Sequence, residues 1–381
     1  MRLGASVPWG ASHGHPCRTI TMASQYCQSG ALRLTGWCHR GRLRGLPSSP
    51  REVLRRTAVG QPIGIGLIGL GRHGRRYAKH VLEDLPGARL AAVCRRSAAE
   101  GTPFAAERGV RFYPDYRDLI ADPTVQTVVV VTPPICARAI GLEAVRARKP
   151  LLIEKPLATN GEEAREIVRA AEAASVPLMT AQTMRFDATV AALRALVGAA
   201  GLRRYLSLTM RLEPRPDIWR RAADYGGRGV LLEIGIHVLD LVRYLTGEEV
   251  AEVRCDLERP GPDQPDVRAW IHLRTRAGFP CVLDVSRVSS GRVGRVEWVG
   301  ADAQIVADWS THTVWKAIGG GQVEQRQVEE RPTVLATLQA FLGALERGSP
   351  MPITGLDGQR AVELVDACYE SAETSKPVKL G

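Results

Sequence analysis

The apolar positions of this chain change their period partway along. From residue 62 onward, short unbroken apolar runs alternate with amphipathic stretches. Ile63-Gly64-Ile65-Gly66-Leu67-Ile68 reads as a short buried strand, and 75–85 as a helix. Further strands follow at 89–94, in the β-branched run 124–131, at 151–153 and at 177–181, with helical segments such as 161–174 between them. Strand alternating with helix predicts an α/β domain with a parallel, doubly wound sheet.

After Met184 the period becomes two. Leu206, Leu208, Met210 and Leu212 alternate with Ser207, Thr209 and Arg211; Val267, Ala269, Ile271 and Leu273 alternate with Arg268, Trp270, His272 and Arg274. Residues 281–288 and 293–299 read as further strands. This pattern predicts an antiparallel or mixed sheet with one face covered. The other face carries Arg, Trp and His and is expected to pair with another subunit, giving a homodimer or homotetramer. Residues 357–373 read as a helix whose tail packs back on the first domain. The expected division is 61–182 for the first domain, 183–352 for an α+β domain with a large open, mostly antiparallel sheet, and 353–381 for the closing helix and tail.

One stretch breaks the apolar pattern. In residues 231–240, Leu-Leu-Glu-Ile-Gly-Ile-His-Val-Leu-Asp, the charged or titratable positions are Glu233, His237 and Asp240. Offsets of four and seven bring all three onto one stripe of a helix. On its own, His237 reads either as a half-buried histidine that joins the helix to a neighbour or as a proton carrier. A metal held by these three has no obvious fourth ligand, so no metal site is assigned.

Composition narrows the class. A chain of 381 residues with 45% hydrophobic content is that of a soluble globular protein of about two domains. No apolar run approaches the roughly 18 residues of a membrane span. Eight cysteines without CxxC pairs indicate neither zinc nor a disulfide scaffold, and fit a reducing, cytoplasmic setting. The net charge of +11 is uneven: residues 1–59 hold nine Arg, no Lys and one acid, Glu52, so that +8 of it lies there and +3 in the rest. A nearly balanced body gives no support to a nucleic-acid partner. Residues 1–60 lack hydrophobic periodicity and an apolar signal core. They are expected to be a disordered tail or an over-long start, with an Arg-rich organellar transit peptide as the alternative.

Between the first strand and the first helix stands Gly69-Leu70-Gly71-Arg72-His73-Gly74. A GxGxxG in that context is the mark of a Rossmann dinucleotide-binding domain. Gly69 permits the tight turn, Gly71 lets the backbone approach a pyrophosphate, and Gly74 allows helix to pack on strand. Arg72 and His73 lie in the same turn, and the helix N-terminus offers free N–H groups to phosphate. About twenty residues on, where an NAD site presents Asp or Glu to the ribose, the text is Cys94-Arg95-Arg96-Ser97. Guanidinium groups at Arg95 and Arg96 can clamp a 2′-phosphate, which favours NADP(H) over NAD(H); plain surface arginines are the alternative. Thr132-Pro133-Pro134 and Glu154-Lys155-Pro156 end strands at their carboxyl edge, where ligands of such sheets sit. Thr132, Pro133, Glu154 and Lys155 are therefore candidate cofactor contacts.

The Rossmann glycines, then Glu154-Lys155-Pro156, then Gly226-Gly227-Arg228-Gly229 leading into Glu233-x-Gly235-x-His237-x-x-Asp240, form an ordered set. That set resembles the glucose–fructose oxidoreductase / inositol dehydrogenase / rhizopine-catabolism (Gfo/Idh/MocA) family over about residues 62–380. The resemblance implies an N-terminal Rossmann domain, a C-terminal domain with a large open sheet, and oxidation or reduction of a carbon of a sugar, polyol or related cyclic compound. It implies that Lys155, Glu233, His237 and Asp240 point into one cleft and that the Lys155–Pro156 bond is cis. In that reading His237 gives or takes the proton that accompanies hydride transfer. Lys155 stabilises the developing oxyanion, Glu233 orients His237 or grips a neighbouring hydroxyl, and Asp240 holds a more distant one. The chain departs from the family in having Glu233 where Asp is usual, and Ile135-Cys136-Ala137 where a histidine often follows the Thr132 turn. Trp219 and Arg220, in the loop 213–225, are candidates for pocket lining. An NAD-dependent inositol-type dehydrogenase and a non-catalytic sensor of the same fold remain as alternatives.

Overall fold

The computed structural model describes residues 61–214, 225–319 and 321–381. The expectations for residues 1–60 and for Trp219 and Arg220 lie outside the described residues.

The unbroken apolar runs become a six-stranded, all-parallel sheet. Its strands are β1 (Ile63–Ile68), β2 (Ala88–Cys94), β3 (Arg111–Tyr113), β4 (Thr127–Val130), β5 (Leu151–Glu154) and β6 (Leu178–Ala181), in the order β3-β2-β1-β4-β5-β6. Strands β1, β4, β5 and β6 are buried along their whole length, as expected where helices cover both faces. Helices α1 (Arg72–Glu83), α2 (Ala98–Arg108), α3 (Tyr116–Ala121), α4 (Ala137–Arg146) and α5 (Gly161–Ala173) fill the crossovers. Helix α1 starts three residues before the expected 75, inside the glycine motif itself. β3 has no apolar run, which is why the pattern does not announce it.

The period-two half becomes a nine-stranded sheet. After α6 (Ala188–Leu196) come β7 (Arg203–Arg211), β8 (Val250–Glu258), β9 (Arg268–Thr275), β10 (Pro280–Ser286), β11 (Val293–Gly300), β12 (Ala303–Asp308), β13 (Thr313–Ile318) and β14 (Gln322–Gln327). With the terminal β15 (Val378–Lys379) the order is β14-β13-β12-β11-β7-β10-β9-β8-β15. Only the β7–β10 pair is parallel. The inner face, with Leu206, Leu208, Ile271 and Leu283, shares one apolar core with Val128, Val130, Leu151 and Ile153 of the parallel sheet. Between the two sheets runs a π-helical turn, Leu231–Gly235, which continues as α7 (Ile236–Thr246).

The chain after β14 departs from the expected division at two places. Helix α8 (Thr333–Arg347) falls within the stretch assigned to the second domain. Its Val334, Leu338, Phe341, Leu342 and Leu345 instead pack with Leu67, Tyr77, Val81 and Leu152 against the other face of the parallel sheet. Helix α9 (Gly355–Thr374) begins against the first domain, where Gly355 lies on Leu178 and Gly358 on Thr180. It ends against β8, where Ser371 Oγ accepts from Cys255 N at 3.1 Å. The tail then pairs β15 with β8, so it joins the second sheet and does not return to the first domain. Among the described residues no helix is long and apolar enough to cross a membrane.

Candidate active site

The segments that follow β5 and β6 reach the π turn and α7, through Lys155 and Arg185. At β1 the chain turns at Gly69, whose φ of +105° suits glycine, and where a Cβ would stand 2.2 Å from Val131 O. A Cβ on Gly74 would stand 1.8 Å from Gly69 O, so helix and turn touch directly. At Gly71 a Cβ would meet nothing within 4 Å; the turn is open there. Gly71 is also the N-cap of α1 and makes no side-chain cap, and the first turn of the helix holds no acid. Free N–H groups behind an open glycine turn fit the pyrophosphate of a dinucleotide. Arg72 and His73 stand exposed beside it.

Glu154, at the end of β5, is buried beneath this turn. It accepts from Tyr77 Oη at 2.6 Å, from His73 Nε2 at 2.8 Å and from the Lys155 amide at 3.0 Å. Burial pushes its carboxyl up, but His73, Lys155 and Tyr77 together hold it below the usual carboxylate value. Burial first, and then the Glu154 charge, raise the Tyr77 phenol well above 10. The sequence reading gave Glu154 to the cofactor. In the structure its carboxylate ties the glycine helix to the Lys155 strand end. The Lys155–Pro156 bond is cis, as the resemblance implies. Beyond it, Lys155 Nζ donates to the main-chain carbonyl of Glu233 at 2.7 Å.

The opposing helix is anchored by a residue that the sequence reading missed. Asp266, buried just before β9, accepts from Gly229 N at 3.0 Å, Leu231 N at 2.7 Å and Tyr369 Oη at 2.5 Å. It caps the start of the π turn as an N-cap carboxylate does. The π turn also breaks the expected stripe. Bonding there runs i to i+5, and the carboxylates of Glu233 and Asp240 go to different partners, Arg287 and Arg185. Glu233 takes Arg287 Nε at 2.7 Å and Nη2 at 3.2 Å, a buried ion pair at the end of β10.

His237 lies toward Lys155 and His73. Burial, then the charges of Lys155 and His73, lower its pKa well below 6.5. Its buried Nδ1 has no hydrogen-bond partner among the described residues. Asp240 is only 1% exposed, and Arg185 takes both its oxygens, from Nε at 2.7 Å and Nη2 at 2.6 Å. Arg185 also reaches Asp357 at 3.1 Å. Burial disfavours the guanidinium charge, but the two carboxylates outweigh it and raise the arginine pKa. The sequence reading placed Asp240 on a substrate hydroxyl. The structure places it in a closed ion-pair network instead.

At the end of β2, Arg95 Nη1 donates to Leu70 O at 2.7 Å and its other nitrogen pairs with Glu100. Arg96 beside it is exposed. At the end of β4, Thr132 is half-buried with its Oγ1 unpartnered among the described residues, and Pro133 is exposed. No group of three His, Cys, Asp or Glu among the described residues is placed to hold a metal.

Arg287 was missed although a signal existed. Cys281, Leu283 and Val285 mark the buried phase of β10, and the next residue in that phase is an arginine. A charge on the apolar phase of a strand needs a buried partner. Arg185 sits in a short 3-10 segment after β6 that carries no period.

Comparison with known proteins agrees with this arrangement. Residues 63–182 match the family profile described as "Oxidoreductase family, NAD-binding Rossmann fold", and residues 194–306 match the GFO/IDH/MocA C-terminal domain. The chain is 30% identical over 333 residues to a myo-inositol 2-dehydrogenase of Thermotoga maritima, covering 83% of this chain and 98% of that protein. It is 32% identical over 329 residues to a 1,5-anhydro-D-fructose reductase of Ensifer adhaerens, with the same coverage of 83% and 98%. A solved structure of a probable dehydrogenase from Thermotoga maritima superposes with a TM-score of 0.72 at 27% identity, over 83% of this chain and 99% of that one. The chain belongs to the Gfo/Idh/MocA family and is an NAD(P)-dependent oxidoreductase.

Proposed function

We propose that this protein is an NADP(H)-dependent oxidoreductase that interconverts a hydroxyl and a carbonyl on a sugar, polyol or related cyclic compound. The observation that carries this reading is Lys155 fixed by the Glu233 carbonyl beside the neutral, buried His237, at the strand ends next to the glycine turn. The bound nicotinamide supplies or accepts the hydride. Lys155 then offers a fixed ammonium to the oxygen that gains charge. The lowered pKa of His237 leaves it neutral near pH 7 and able to take the hydroxyl proton during oxidation or, once protonated, to return it during reduction. Glu233 acts with Arg287 to set the π turn. Asp240 acts through Arg185 as a positioning residue. The sugar or polyol class rests on the names of the two relatives.

The preference for NADP(H) rests on Arg95 and exposed Arg96 at the end of β2. One observation favours NAD(H): Arg95 is engaged by Leu70 and Glu100, and Glu100 brings a carboxylate to that position. Fluorescence titration with NADPH and NADH separates the two. Tighter NADPH binding, lost in Arg96→Asp, supports the first reading, and tighter NADH binding replaces it with the second.

We further propose a homodimer or homotetramer through the outer face of the second sheet. Tyr205, Val282 and Trp270 stand exposed there on the adjacent strands β7, β10 and β9. A cytoplasmic setting is supported by free thiols at Cys94, Cys255, Cys281 and Cys368. The activity itself is tested at 340 nm with 1,5-anhydro-D-fructose and NADPH, and with myo-inositol and NADP⁺. Hydride transfer to or from at least one of them is expected; none with either cofactor contradicts the reading.

A further inference from the structure

Arg75 closes the first turn of α1, its amide donating to Gly71 O at 2.9 Å. Its side chain lies over Phe104 of α2, with the guanidinium carbon 5.6 Å from the ring centre. Its Nε reaches the carbonyl of Leu70, between Gly69 and Gly71, at 3.5 Å. Arg95, at the end of β2, donates to the same carbonyl from Nη1 at 2.7 Å. The two strand ends are level there: Ile68 pairs with Cys94, and Gly69 N donates to Cys94 O at 3.0 Å. Guanidinium groups from α1 and from β2 thus converge where the glycine turn meets the end of β2, and Arg96 stands exposed next in the chain. In a dinucleotide-binding sheet that is the step from the pyrophosphate to the adenosine ribose.

Like charges drawn to one carbonyl repel, and this pair is only partly neutralised. Glu100 is the one carboxylate ion-paired with either arginine among the described residues, and it takes Arg95. The first turn of α1 holds no acid. Arg75 keeps both terminal nitrogens without a hydrogen-bond partner among the described residues, while Phe104 and Leu70 hold the rest of its side chain. A guanidinium fixed in this way, with open donors and an uncompensated charge, fits a phosphate, whose oxygens it can take in pairs. We propose that Arg75 selects NADP(H), holding its 2′-phosphate together with Arg96 while Arg95 stays tied to Leu70 and Glu100; this rests on the NADP(H) reading above. A phosphate monoester brings about −1.5 to −2 charge near pH 7. The bare 2′-hydroxyl of NAD(H) brings none, so Arg75 contributes little to its binding.

The test is fluorescence titration of the full chain with NADPH and with NADH, in wild type, Arg75→Met and Arg76→Met. Methionine keeps an apolar stem over Phe104 and removes the charge and the donors. Arg76, exposed one residue along, controls for the loss of a positive charge near the site. Wild type is expected to bind NADPH more tightly than NADH. In Arg75→Met the NADPH Kd rises at least tenfold and the NADH Kd stays within twofold; in Arg76→Met both stay within twofold. An NADPH Kd within twofold of wild type in Arg75→Met overturns the proposal, while the NADP(H) reading stands on the wild-type preference. Equal weakening of both cofactors also overturns it, because Arg75 then acts through the fold. The same loss of NADPH binding in Arg76→Met overturns it as well, because general charge is then the cause. A wild type that binds NADH more tightly overturns both the proposal and the NADP(H) reading.

Discussion

Lys155 Nζ donates to the main-chain carbonyl of Glu233 at 2.7 Å. The lysine of the first domain is thereby fixed by the backbone of the second. The carbonyl is presented by a π turn, held at its start by the Asp266 cap and at its centre by the Glu233–Arg287 ion pair. Lysine position, turn and ion pair form one mechanical unit, and disturbing any of them moves the ammonium.

Removing one member of the buried ion pair exposes that coupling. Arg287→Met leaves the Glu233 carboxylate without its guanidinium and is expected to cost about 3 kcal/mol of stability in urea unfolding. Adding Glu233→Gln to it restores most of that stability, since the buried charge is gone. The kcat of Arg287→Met falls in step with the lost Lys155 alignment, by about tenfold or more. A stability unchanged in the single variant contradicts the role given to the pair.

His237 predicts a pH dependence of definite sign. Its folded pKa lies well below the 6.5 of the unfolded chain, because of burial first and then the charges of Lys155 and His73. Between those two values the unfolded state binds more protons. Stability is therefore full above pH 6.5 and declines as pH falls toward the folded pKa, by up to about 1.4 kcal/mol per pH unit for one proton. In His237→Phe the decline over this window is shallower by that amount. Denaturation midpoints between pH 7 and pH 4.5 check it, and identical slopes in the two proteins refute it.

Asp240 is expected to behave as structure. Asp240→Asn removes a buried anion from Arg185, which keeps Asp357 as a second partner. Stability falls by about 2 kcal/mol, less than for a pair with no second anion. The KM for the polyol stays within twofold of wild type, as steady-state kinetics would report. A KM raised tenfold with stability unchanged would return Asp240 to the substrate.

The parts of this molecule that the sequence announces are those whose period is set by one dominant interaction. Fully buried β1, β4 and β5 show as apolar runs, and β7 and β9 show as alternation because one face is covered. The glycine turn is legible because a Cβ at Gly69 or Gly74 would collide with backbone. By contrast β14 is exposed at every position and exists through pairing with β13, which leaves no mark in its own residues. Helix α8 shows the limit of boundaries drawn along the chain: its apolar residues are ordinary, but the sheet they cover was laid down more than 150 residues earlier.

The site divides along the same line. Lys155, Glu233, His237 and Asp240 were found because their motifs are local. Their partners are long-range: Arg287 is 54 residues from Glu233, and Arg185 is 55 from Asp240. The even stripe assumed α-helical geometry, and the π turn at Leu231–Gly235 removes that assumption where Glu233 sits.

The most direct measurement of the account is turnover and cofactor binding in Lys155→Met. NADPH affinity is expected to stay within about threefold of wild type, because the glycine turn is untouched. Hydride transfer, followed at 340 nm with whichever of 1,5-anhydro-D-fructose or myo-inositol the wild type accepts, is expected to fall by about a thousandfold. A variant that keeps wild-type turnover would contradict the placement of Lys155 at the reacting oxygen, and with it the central claim.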